Sequence, residues 1–215
     1  LPEKSALMYP NLNQAYDIGS SFTLDFWINP RYGSEANDEF HPGTIFHLSS
    51  SLCVSLISGS TRDHLGSTDK YKILVQLSQS ADVNPKSINF STNNYPQDLI
   101  FTSSFEMKKN NWHHVSIGWG GETFNNYTGS ILIDDNETNF IVPSASIGTS
   151  TSGLLIGNYY DGPGSQLKNF FNTSVSNAEG VPAHPSAGAN DPAANTYKLD
   201  NPLNAEVHEI KLFSS

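Results

Sequence analysis

The sequence predicts an all-β fold in which two antiparallel sheets pack face to face, and three observations predict it. Apolar and polar residues alternate with a period of two along about ten short runs. Gly, Pro, Asn and Asp punctuate those runs at short intervals, as closely spaced antiparallel strands require. No stretch keeps a helical period and strands do not alternate with helices, which excludes a parallel α/β sheet.

The first long strand is Phe22–Asn29, with Phe22, Leu24, Phe26 and Ile28 on one face and Thr23, Asp25, Trp27 and Asn29 on the other; Pro30 ends it. Trp27 falls on the polar face, so it is either covered by a loop or displayed as a platform. Strands follow at Thr44–Leu48, Leu52–Ile57, Lys72–Leu77 and Leu99–Phe101. In Trp112–Trp119, Val115, Ile117 and Trp119 share a face, and Gly120-Gly121 breaks the run. Ser130–Asp134 and Thr138–Val142 flank Asp135-Asn136-Glu137, a link with hairpin chemistry because Asp and Asn tolerate left-handed backbone angles. Leu154–Gly157 and Val207–Phe213 complete the set.

A chain of 215 residues suits one domain, 1–215, that buries roughly 70% of its extended surface. Hydrophobic residues make up 37% and charged residues 15%, so polarity comes from Ser, Thr and Asn, which favours strands and turns. One segment breaks the rhythm. Residues 158–204 form a Gly-, Pro-, Ala- and Asn-rich excursion, long enough to suggest a contact surface for a ligand or a neighbouring subunit.

The net charge of −10 argues against nucleic acid, whose phosphates need a basic surface. No apolar run approaches the roughly 18 residues of a membrane span, so no membrane insertion is expected. Cys53 is the single cysteine, which rules out an internal disulfide; within Leu52–Leu56 it is expected to be a buried, inert thiol. The chain begins at Leu1 without a signal peptide, as a piece processed or excised from something larger would. Sequons at Asn89, Asn126, Asn136 and Asn172 are about as many as chance gives in a chain this rich in Asn, Ser and Thr.

In order along the chain, these strands resemble the laminin-G-like, concanavalin A-like jelly-roll superfamily. Phe22–Pro30 resembles its early Phe-Thr-Ile-Glu-Ala-Trp-Val run, and Ala6–Tyr9 its opening strand. Asn111-Trp112-His113-His114-Val115 matches its Trp-x-His-Val step, and Gly129–Asp134 the segment that follows. Gly153–Asn158 resembles the Leu-x-Ile-Gly strand, and Val207–Phe213 the terminal Ile-Asp-Glu-Val-Arg-Ile strand. The resemblance implies a two-sheet antiparallel jelly-roll β-sandwich that binds glycans or protein partners. It departs at Asp135, where Gly is usual, and at His208, which replaces an acidic residue that serves a structural calcium site in some enzymes of the superfamily. Calcium would then fall to other rim carboxylates, Asp134, Asp135 and Asp161.

The superfamily's glucanases carry Glu-x-Asp-x-Glu, because a strand holds carboxylates two positions apart at the separation that glycoside cleavage needs. No such run occurs here. Glu206 and Glu209 are three apart, so a regular strand sends them to opposite faces. His113 and His114 likewise point apart, and the remaining histidines lack zinc spacing. No nucleophile elbow, phosphate loop or dinucleotide fingerprint appears. The sequence therefore reads as a non-enzyme, with a laminarinase-like hydrolase as the third choice.

Sugar recognition needs flat aromatic faces and hydrogen-bonding groups for hydroxyls, and the excursion supplies Asn158, Tyr159, Tyr160, Asp161 and Tyr197 as candidate ligand residues. Phe170 and Phe171 are expected to cover a sheet instead, and Ser58–Lys70 forms a second polar loop. Among laminin-G-like modules, a cysteine-poor, Asn- and Ser-rich chain looks most like those of virion structural or decoration proteins, displayed on the virion surface. A glycan-binding domain of a secreted, extracellular bacterial adhesin is the alternative.

Overall fold

A computed structural model describes residues 6–9, 18–19, 21–31, 43–59, 70–85, 88, 99–121, 127–142, 147, 153–161, 198–199 and 201–214. Among these residues, fourteen strands carry the fold. They are β1 (Leu7–Tyr9), β2 (Ser21–Pro30), β3 (Gly43–Leu48), β4 (Leu52–Ser58), β5 (Lys70–Leu77), β6 (Ile100–Thr102), β7 (Met107–Lys108), β8 (His113–Gly120), β9 (Thr128–Ile133), β10 (Asn136–Ile141), β11 (Leu154–Ile156), β12 (Tyr160–Asp161), β13 (Lys198–Leu199) and β14 (Ala205–Ser214).

One sheet has the order β1-β11-β3-β4-β5-β6, with β7 also on β5; the other has the order β10-β9-β8-β2-β14. Every pairing is antiparallel, and non-consecutive strands lie side by side, so the chain is a two-sheet jelly-roll sandwich. β12 and β13 form a separate two-stranded ribbon, which alternation had not indicated.

The expected strands appear with ends shifted by a few residues. The alternation also places the core: Phe22, Leu24, Phe26 and Ile28 of β2 are buried with Val115, Ile117 and Trp119 of β8 and Ile131 and Ile133 of β9. The facing sheet supplies Phe46, Leu48, Val54, Leu56, Ile73 and Val75 to the same cluster. Phe26 meets Phe46 edge to face, ring centres 5.3 Å apart.

The β9–β10 hairpin turns one residue earlier than expected. Ile133 pairs with Asn136, leaving Asp134-Asp135 as a two-residue turn with Asp134 at φ 52°. Its carboxylate secures the turn. Oδ1 accepts the His114 N–H at 3.0 Å, and Oδ2 lies 2.8 Å from Nδ1 of buried His113. Because His113 Nε2 accepts the Lys108 N–H at 3.0 Å, Nδ1 carries the proton and donates it to Asp134.

Gly129 in β9 sits where a side chain has no room. A Cβ there would strike the Phe140 ring and lie 2.6 Å from the Gly118 carbonyl oxygen. Phe140 cannot yield freely, because it stacks on Phe101 at 4.5 Å. Gly129→Ala is therefore expected to cost about 1–3 kcal/mol through overpacking. A urea midpoint unchanged from wild type would refute this close approach.

Candidate functional site

The outward residues of β2 meet partners on two neighbouring strands. Trp27 pairs with His114 of β8 and His208 of β14; Asp25 pairs with Ser116 and Lys211; Asn29 pairs with Glu206. Trp27 is 39% exposed and Trp112, just before β8, is 46% exposed. Together with His208 and Glu209 they line a shallow depression of about 240 Å³. Of the two roles open to Trp27, this is the platform.

A β-bulge shapes one wall. Between the His208–Trp27 and Lys211–Asp25 pairs, β14 places Glu209 and Ile210 against Phe26 alone. Glu209 takes φ 51°, and the extra residue re-aims its side chain toward the depression. The bulge also corrects the expectation of a regular strand from Glu206 to Glu209.

Polar contacts frame the aromatic rings. His114 packs tilted on Trp27, ring centres 5.1 Å apart, and its Nε2 lies 3.0 Å from Asp25 Oδ2. His208 meets Trp112 edge-on at 6.5 Å. Arg31 holds Glu206 at 3.1 Å and reaches Asn110 Oδ1 at 3.4 Å. Lys211 Nζ lies 3.6 Å and His208 Nδ1 4.0 Å from the Glu209 carboxylate. Exposed pairs of this kind contribute about 0–1 kcal/mol, so they orient side chains more than they stabilise the fold.

Three of the five excursion residues expected at a surface site are buried instead. Asn158 is fully buried, and Tyr159 and Tyr160 are each 1% exposed. On the outer side of the larger sheet Tyr159 supplies part of a lid, clustered with Cys53 and Ala81. Its ring stacks on His47 at 4.2 Å. Asn158 Oδ1 accepts the N–H groups of Tyr159 at 2.9 Å and Asn201 at 2.8 Å, and Asn201 Nδ2 donates to Thr44 Oγ1 at 2.9 Å. These bonds, with the β12–β13 ribbon, close the neck of the excursion. Tyr197, Phe170, Phe171 and most of 158–204 lie outside the described residues, as do the side chain of Asp161 and most of the Ser58–Lys70 loop.

Asp134 and Asp135, two of the carboxylates expected to serve calcium, stand at the β9–β10 turn. Asp134 serves as a structural acceptor with both oxygens, and Asp135 is an exposed turn residue. Among the described residues, no group of three His, Cys, Asp or Glu side chains is arranged to hold a metal. His113 and His114 do diverge, one bound to Asp134 and the other to Asp25.

Beneath the lid, burial pushes the Cys53 thiol up to about 12, against partial relief from a hydrogen bond with Ser55, so it is the inert thiol expected. Asp82 ties the short helical turn Ser78–Asp82 to Ser49 and Ser50. Its carboxylate accepts the Ser49 hydroxyl at 2.8 Å, the Ser50 N–H at 2.8 Å and the Ser50 hydroxyl at 2.7 Å. Burial raises its pKa, yet the His47 ring 3.8 Å away and the bonds from Ser50 and Ser49 together outweigh that and lower it to about 2. A folded value below the unfolded one means the stabilisation is complete above about pH 4 and is lost as pH falls toward 2. In urea unfolding, the gap between wild type and Asp82→Asn should therefore narrow on acidification through that window; a constant gap would refute the role.

Trp112, His208 and Glu209 were not recognised as site residues from sequence. Trp112 shares outward parity with His114, a usable signal, but its meeting with His208 depends on a register between distant strands.

No family model and no curated protein matches the chain. Among solved structures, a native heptameric SAP-like pentraxin from Limulus polyphemus is similar at 10% identity and TM-score 0.47, over 99% of this chain and 71% of that one. A putative carbohydrate binding protein from Bacteroides ovatus is similar at 14% identity and TM-score 0.40, over 98% of this chain and 57% of that one. The Emp47p carbohydrate recognition domain is similar at 11% identity and TM-score 0.39, over 99% of this chain and 76% of that one.

Proposed function

We propose that the chain is a non-enzymatic carbohydrate-binding and display module that holds its ligand on the outer face of β8-β2-β14. One observation carries the reading: two exposed indoles, Trp27 and Trp112, line the same depression as His208 and Glu209. The apolar C–H face of a sugar ring stacks on an indole, while the carboxylate accepts hydrogen bonds from its hydroxyls and the imidazole accepts or donates them. At about 240 Å³ the depression is smaller than the roughly 300–1,000 Å³ of sites that enclose a drug-sized ligand. It suits one ring or a chain end, with longer ligands crossing toward His114 and Asp25.

Binding without catalysis is supported by the carboxylates' engagements. Glu206 is tied to Arg31, Asp25 to His114, and Asp134 to His113. The setting that best suits a cysteine-poor display module is a virion surface, with an extracellular adhesin as the alternative. A glycan array with and without a calcium chelator tests binding and any metal requirement. Incubation with bound polysaccharide then tests for chemistry. The reading requires retention without release of reducing ends; no retention on any glycan, or steady release, would sink it.

Contact with neighbouring subunits through residues 158–204 is a second reading, supported by the closed neck at Asn158 and Asn201. Replacing 162–197 by a short turn separates the two. Loss of assembly with glycan binding intact favours the excursion as a subunit contact.

A further inference from the structure

We infer that the Trp27–Trp112 depression selects ligands bearing an ammonium group, that amino sugars with a free amine are the class that fits, and that Glu209 reads the charge. This rests on the carbohydrate reading above and sharpens it.

The lining combines two groups that separately favour a cation. Indole faces carry negative π-density, and an ammonium near them is attracted more strongly than a neutral hydroxyl. The carboxylate of Glu209 stands in the same wall. Its placement comes from the bulge, where a non-glycine residue at φ 51° occupies a sparsely populated backbone region. Strain of that kind recurs where a side chain must be held in one direction.

The carboxylate is also accessible to a competitor. Lys211 Nζ at 3.6 Å and His208 Nδ1 at 4.0 Å both lie beyond hydrogen-bond distance. An incoming ammonium can therefore take the acceptor sites that these neighbours leave, without displacing a tight bond. Longer-range charge acts in the same direction, because the chain carries a net charge of −10. A uronic or sulfated sugar would bring its negative charge against Glu209 and be disfavoured.

Three β-1,4-linked trimers, of glucosamine, N-acetylglucosamine and glucose, share a backbone and differ only at carbon 2. Calorimetric titration at low salt, in buffer that keeps the free amine protonated, compares them directly. The glucosamine trimer should bind about tenfold more tightly than the other two. Glu209→Gln should remove that preference and leave the neutral trimers unchanged. Glu137→Gln, an exposed carboxylate on β10, should leave the preference intact and so exclude general attraction to an acidic protein. Equal affinity for all three trimers, each lost in Trp27→Ala, would overturn charge selection while sparing the platform. A preference that survives Glu209→Gln would overturn the role of Glu209, and binding of none of the three would overturn the amino-sugar selection while the glycan array still decides the carbohydrate reading.

Discussion

Phe26→Ala is expected to destabilise the protein by about 3–5 kcal/mol, the range for deleting a fully buried phenylalanine from a core. Phe26 is 0% exposed at the centre of β2, which is hydrogen-bonded on both sides, to β8 and to β14. Its edge-to-face contact with Phe46 joins the two sheets directly, so the cavity would open between the layers. Neither sheet can collapse into it without shifting its ladder register. Domains hold only about 5–15 kcal/mol in total, so one such loss takes much of the margin. Tm should fall by roughly 10 °C or more for a chain of this length. Phe46→Ala should behave similarly, and the double variant should cost less than the sum, because the aromatic contact is already lost in either single variant. A loss below about 1 kcal/mol for Phe26→Ala would contradict the two-layer core.

That core was legible because period-two alternation is local. Phe22, Leu24, Phe26 and Ile28 declare one buried face without reference to any other strand, and the structure buries all four. Which strand lies beside which is not local. The β8-β2-β14 order brings residues from both ends of the chain together, and the bulge at Glu209 depends on β14 fitting the twist and register of β2. Tyr159 and Tyr160 show the same limit from the other side. An Asn-Tyr-Tyr run has the same composition whether it displays its rings or roofs a sheet, and the deciding fact is that Cys53 and His47 leave a surface to be covered. Trp27 was legible only as a pair of alternatives. Alternation placed it on the polar face, but only the pairing with His114 and His208 made that face an aromatic surface.

Trp27→Ala and Trp112→Ala are expected to weaken glycan binding by at least about thirtyfold each, the effect of removing an aromatic anchor worth about 2 kcal/mol or more. Both side chains point away from the core, so their loss should affect stability far less than the loss of Phe26. Binding and folding then separate cleanly: unfolding midpoints stay near wild type while affinity collapses. The third tryptophan gives an internal control. Trp119 is 2% exposed, so bound ligand should perturb the fluorescence of Trp27 and Trp112 and leave the Trp119 signal unchanged. In the double alanine variant the remaining emission belongs to Trp119 alone, and it should not respond to ligand. Trp27→Phe should recover part of the affinity, because a flat face is restored over a smaller area. Full-strength binding by the double variant would move the ligand away from this sheet face, and the excursion would become the place to look.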